Sequence, residues 1–88
     1  MQKSQTLNLL VQDLSKEDKF YHIEIDATAT VEELKCLVAI ESTIDPERQI
    51  LTYRQAVLKV DSKKLVEGYG IQNNDMINMS ISNLNQQD

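Results

Sequence analysis

Apolar and polar residues alternate with a period of two in LNLLVQ (7–12), where Leu7, Leu9 and Val11 fall on one side and Asn8, Leu10 and Gln12 on the other. The alternation returns in FYHIEI (20–25), with Tyr21, Ile23 and Ile25 opposed to His22 and Glu24. Successive strand residues point to opposite faces, so this pattern predicts two strands, each buried on one face. The polar DLSKEDK (13–19) between them has the length of a hairpin loop. The strands are therefore expected to pair antiparallel, with Leu14 carried out on the loop.

From Thr30 the period changes. Val31, Leu34 and Val38, and then Ile44, recur at helical spacing, which lays one apolar stripe on a sheet. Thr30 followed by Glu33 is a capping box, in which each side chain meets the other residue's backbone N–H. Pro46 cannot sit in a helix interior, so the helix is expected to end near Thr43. QILTYR (49–54) then alternates again, placing Leu51 and Tyr53 toward the core and Ile50, Thr52 and Arg54 opposite. Gly68 and Gly70 flank Tyr69 and are read as positions of positive φ. DMINMSI (75–81) is the last strand, with Ile77, Met79 and Ile81 on one face. The predicted order is strand, strand, helix, strand, short elements, strand, a single α+β domain over residues 1–82. The polar tail 83–88, NLNQQD, has no apolar periodicity and reads as the start of a linker to a downstream domain.

Composition narrows the function classes. At 88 residues the chain buries only about 60–65% of its unfolded surface, which leaves one small core and no deep enclosed active site. Fourteen carboxylates against nine Lys and Arg give a formal charge of −5, which opposes phosphate backbones and anionic lipid and suits basic or neutral protein partners. Neither nucleic acid nor a membrane is an expected partner. The single cysteine, Cys36, allows no internal disulfide, and no run approaches 18 apolar residues. A cytosolic or nuclear protein fits this composition.

Catalytic chemistry finds no support. Asp61-Ser62 is similar to the start of the Asp-Ser/Thr-Gly signature of aspartyl proteases, but Lys63 stands where glycine must let the backbone turn. Cys36 has no base in view, because the only histidine, His22, lies on a predicted strand facing solvent. One His and one Cys cannot supply a zinc site, and two glycines one residue apart do not cradle a phosphate. No cofactor, metal or small-molecule ligand is expected. Glu17, Asp18, Glu32 and Glu33 read as surface-solvating charges.

Taken together, the residues from Leu7 to Ile81 resemble ubiquitin. The match is carried by Val31, Leu34 and Val38, the Ile44 and Pro46 turn, Leu51 and Tyr53, Leu58, and the Tyr69-x-Ile71-Gln72 loop. Glu41-Ser42, Gln49-Ile50-Leu51, the run from Tyr53 to Leu58, Tyr69-Gly70-Ile71 and Asn74-Asp75-Met76 are most similar to the N-terminal domain of the DNA-damage-inducible shuttle proteins. The resemblance implies a β-grasp fold, a mixed sheet of four to five strands packed on one main helix. It also implies that the Tyr69 hydroxyl caps a backbone N–H in the preceding loop, and that a parent protein carries a retroviral-type aspartyl protease domain elsewhere.

Two departures from ubiquitin bear on function. Where ubiquitin ends in the Gly-Gly used for conjugation, this chain has Ser82-Asn83-Leu84-Asn85, so conjugation is not expected. The positions matching ubiquitin's apolar patch read Leu14, Thr52, Asn78 and Ser80, three of them polar. The candidate protein-binding residues are Leu10, Leu14, Ile50, Thr52, Arg54, Asn78 and Ser80, on one sheet face with Ile50 as the strongest apolar anchor. The expected function is non-catalytic docking of a shuttle-type protein to a proteasome subunit or to ubiquitin. The alternatives are a structural domain that packs against or dimerises its own protein's neighbouring domains through Cys36 and Ile40, and a conjugable modifier.

Overall fold

A computed structural model describes residues 5–17 and 19–82. The two alternating segments form β1 (Thr6–Asp13) and β2 (Lys19–Asp26), an antiparallel hairpin with Leu9 opposite Ile23 and Val11 opposite Tyr21. The first strand runs one residue beyond the expected boundary, because Asp13 pairs with Lys19. The loop is thereby shortened to Leu14–Asp18, and Asp18 itself lies outside the described residues.

The helix α1 (Val31–Ser42) begins where the capping box places it. Thr30 Oγ1 accepts from the Glu33 N–H at 3.4 Å, and the Glu33 carboxylate accepts from the Thr30 N–H at 2.9 Å. Thr43 ends the helix in the left-handed conformation, φ 62°, with its N–H donated to the Ala39 carbonyl. Beyond it, the single 3-10 turn Pro46–Arg48 leads into β3 (Gln49–Tyr53). The buried Gln49 amide joins helix and connection, since Nε2 donates to the carbonyls of Lys35 and Ile44, each at 2.9 Å.

After β3 come the two-residue β4 (Ala56–Val57), the short α2 (Leu65–Tyr69) and β5 (Met76–Ile81). The five strands form one sheet in the order β2-β1-β5-β3-β4, parallel between β1 and β5 and antiparallel elsewhere. Helix α1 covers one face. Leu7, Leu9, Val11, Ile23, Leu51, Ile77 and Met79 from the sheet meet Val31, Leu34 and Val38 from α1 in a single core. Leu65 is wholly buried as well, although its segment carries no periodicity long enough to mark it as core.

Three expectations need correction. Arg54 does not extend β3: Arg54 and Gln55, at φ 51° and 72°, form a two-residue hairpin turn between Tyr53 and its partner Ala56. Both left-handed residues fit the twist of such a turn, but neither is the Asn or Gly that announces one. Gly68 is helical and only Gly70, at φ 74°, has positive φ, because Gly70 closes α2 as its C-cap. The Tyr69 hydroxyl makes no hydrogen bond to a backbone N–H among the described residues. Its ring instead receives Lys63 Nζ, 4.6 Å from the centroid.

Candidate protein-docking surface

The face of the sheet opposite α1 is built from the even-numbered residues of β1, β2, β3 and β5, because their odd-numbered neighbours fill the core. The register aligns them in rows. One row crosses all five strands: Phe20 beside Gln12, Gln12 beside Asn78, Asn78 beside Thr52, and Thr52 beside Val57. A second row holds His22, Leu10 and Met76. A third pairs Ser80 with Ile50. Leu14 adjoins this third row from the hairpin loop, where its N–H donates to the Met79 carbonyl at 2.8 Å.

Six of the seven candidate residues are thus brought to one region, and one is not. Leu10, Ile50, Thr52, Asn78 and Ser80 are half-buried on the open face, and Leu14 is 57% exposed beside it. Arg54 leaves the face because its turn ends the strand. Its guanidinium lies 5.4 Å from the centroid of Tyr53, a core-side ring. A longer β3 would have set Arg54 opposite Met76. Without it, Met76 is 46% exposed.

Sequence reading missed Met76, Phe20 and Val57 on this face. The same even-residue alternation that selected Asn78 and Ser80 also selects Met76, and alternation with His22 selects Phe20. Val57 had no such signal, since its placement depends on the Arg54-Gln55 turn. The resulting surface has a polar centre of Gln12, Asn78 and Thr52. Apolar groups surround it: Leu10 with Met76 on one side, Ile50 with Leu14 on the other, and Phe20 and Val57 at the row's ends.

Two carboxylates, Asp13 buried and Asp75 half-buried, brace the edges of this face. Asp13, fully buried at the end of β1, accepts from Tyr21 Oη at 3.0 Å and from the Ser15 N–H at 2.9 Å, and also from the Ser15 hydroxyl. Burial alone would raise its pKa, but the Ser15 and Tyr21 hydrogen bonds and the charge of Lys16 outweigh it and leave the carboxyl below its ordinary value. Asp75, just before β5, accepts from the Tyr53 hydroxyl and from the Gln72 N–H at 2.9 Å. These bonds, with the Arg54 charge, also lower its pKa against the opposing effect of burial. Asp13 therefore fixes the loop carrying Leu14, and Asp75 fixes the strand start carrying Met76. Its own carbonyl accepts the Leu10 N–H at 3.1 Å.

No group of three or more His, Cys, Asp or Glu among the described residues is placed to hold a metal ion. Asp61, the carboxylate of the Asp-Ser pair, lies in a turn and forms an ion pair with Lys35 at 3.3 Å. No helix among the described residues is long and apolar enough to cross a membrane.

A mixed five-stranded sheet grasping one main helix, with its other face open, defines a β-grasp domain of the ubiquitin-like class. The chain belongs to the ubiquitin family, whose profile matches residues 3–84. Its structure is similar to the ubiquitin-like domain of an Arabidopsis thaliana protein, with 26% identity and a TM-score of 0.80 over 94% of this chain and 84% of that one. It is also similar to the UBL domain of Plasmodium falciparum Dsk2 (23% identity, TM-score 0.79, 89% of this chain and 100% of that one). A third similar structure is the ubiquitin of Caldiarchaeum subterraneum (18% identity, TM-score 0.79, 93% and 100%). No curated protein matches the sequence. Ubiquitin-like domains are in general non-catalytic, and they commonly bind ubiquitin or proteasome components.

Proposed function

We propose that this chain is the docking domain of a shuttle-type protein of the DNA-damage-inducible class, and that it binds ubiquitin or a proteasome subunit through the open sheet face, in the cytosol or nucleus. The observation that carries the reading is the convergence of Leu10, Met76, Ile50 and Leu14 on one face of a sheet whose other face is closed by the core. The likeness in fold to the UBL domain of Dsk2 supports it. The polar centre makes a partner satisfy Gln12, Thr52 and Asn78 by hydrogen bonds, so affinity rests on the apolar margin. An interface of about 400–600 Å² per partner belongs to the weak end of stable complexes.

The test is a titration of isotope-labelled domain with ubiquitin and, separately, with a proteasomal ubiquitin receptor. Amide shifts are expected at Leu10, Leu14, Ile50, Met76, Asn78 and Ser80, and Ile50→Ala should weaken binding by about 1–2 kcal/mol with the fold intact. Shifts absent from this face with both partners would reject the reading. An Asp-Ser-Gly or Asp-Thr-Gly motif encoded downstream in the same gene would support the shuttle assignment independently.

A further inference from the structure

A second surface is left open at the far edge of the sheet. β2 is an edge strand of eight residues, paired on one side only. The Ala27 N–H donates to the Gln5 carbonyl, and bonded pairs alternate along an antiparallel ladder, so Ile25, Ile23 and Tyr21 direct their backbone groups to β1. The even residues of β1 confirm this phase, since Leu10 donates its N–H and Asn8 accepts on the β5 side. The N–H and C=O groups of His22 and Glu24 therefore point outward, and among the described residues nothing pairs with them.

This free edge borders an apolar groove. His22, Ile23 and Glu24 form one wall and Leu37, Ile40 and Glu41 of α1 the other. The groove continues past Leu37 to Ile25 and Cys36. Ile40 is 72% exposed, the most exposed large apolar residue described, and Cys36 is exposed one turn earlier. Charge lines the whole length: Glu24 and Asp26 on the strand side, Glu32, Glu33 and Glu41 on the helix side. Lys35, the cation of this part of α1, is held elsewhere by Asp61.

We propose that this groove is a second docking site, taking an extended, basic segment of a partner protein that adds to the sheet as a further strand beside β2. Strand addition supplies main-chain hydrogen bonds at His22 and Glu24, while alternate apolar side chains enter the groove against Leu37 and Ile40. Lys or Arg at the intervening positions meet the carboxylates on the rim. The same carboxylates select against a second copy of the chain, because an edge-to-edge dimer would bring like charges together at Glu24. The site is separate from the open face, so a partner held at Ile50 leaves it accessible.

Panning a displayed library of random peptides about twelve residues long against the domain identifies the occupant's chemistry. Enriched peptides should alternate apolar residues with Lys or Arg. A synthetic peptide of the enriched sequence should shift the amides of His22, Glu24, Leu37 and Ile40 and slow hydrogen exchange at the His22 and Glu24 amides, which only strand addition would protect. Ile40→Lys and Glu24→Lys should each weaken that peptide at least about tenfold, whereas Ile50→Ala should leave it unchanged. Both altered side chains are exposed, so the fold is retained. Enrichment of acidic or patternless peptides, no enrichment over the Ile40→Lys variant, shifts confined to the open face, or self-association through β2 would each overturn the proposal.

Discussion

Tyr21 donates its hydroxyl to the buried carboxylate of Asp13 across 3.0 Å, tying β2 to the last residue of β1 directly beneath the loop that carries Leu14. A carboxylate without exposure stays ionised here because three donors meet it, and the Tyr21 hydroxyl is held proton-bound in turn, its pKa raised by burial and by Asp13. One contact thus joins hairpin stability, loop position and the docking surface.

The pH dependence of folding follows from that pair. Asp13 and Asp75 both have folded pKa values below the ordinary carboxylate value, so each contributes stability that is fully present above about pH 4 and is lost as pH falls through the folded value. Urea midpoints measured between neutral pH and pH 2 should therefore fall with acidification. Asp13→Asn should flatten that fall and lower the midpoint at pH 7. An unchanged slope in the variant would show that Asp13 is not a source of the dependence.

Core truncation should be costly and local charge removal should not. Leu34 and Leu51 have no exposure, so Leu34→Ala or Leu51→Ala should destabilise the domain by about 2–5 kcal/mol, while Glu32→Ala should stay within about 0.5 kcal/mol. Equilibrium unfolding of the three variants is the measurement. Equal midpoints would mean that the helix packs in another register.

Backbone strain predicts changes of opposite sign at two turns. Gly70 has φ 74° with open space around it, so Gly70→Ala should cost about 1 kcal/mol from conformation alone. Gln55 occupies φ 72° with a side chain, so Gln55→Gly should stabilise the domain by up to about 1 kcal/mol. At Gly68 the obstacle is steric. An added Cβ would fall 2.4 Å from Lys63 Cγ, so Gly68→Ala should also shift the Lys63 and Tyr69 resonances as the cation leaves the ring.

The polar centre of the open face should limit affinity. Thr52 lies between Asn78 and Val57, so Thr52→Ile would place an aliphatic group in the polar row, beside Val57. Binding of ubiquitin or a proteasomal receptor, measured by calorimetry, should strengthen with Thr52→Ile and weaken by about 1 kcal/mol with Met76→Ala. Arg54→Ala should change it little, because the guanidinium sits over Tyr53. A large loss with Arg54→Ala would show that the turn refolds when a partner binds.

The elements whose signal is local were legible in the chain itself. The capping box at Thr30 and Glu33, the stripe at Val31, Leu34 and Val38, and the alternation from Leu7 to Val11 and from Tyr21 to Ile25 each depend on neighbours within a few residues, and each reappears in the fold. Other features depend on groups distant in sequence, and only the tertiary structure decided them. Arg54 leaves the face because β4 returns across a left-handed turn that its residues do not advertise. Met76 joins Leu10 because β1 and β5, near opposite ends of the chain, lie side by side in parallel, and the Asn73 side chain just before β5 accepts from the Asn8 N–H. Asp13 is buried because Tyr21 and Ser15 converge on it at the sheet's end, and a solvated loop residue in the sequence becomes an ionised group in the core. Periodicity records which side of an element meets the core, while strand order and turn conformation set which exposed residues become neighbours.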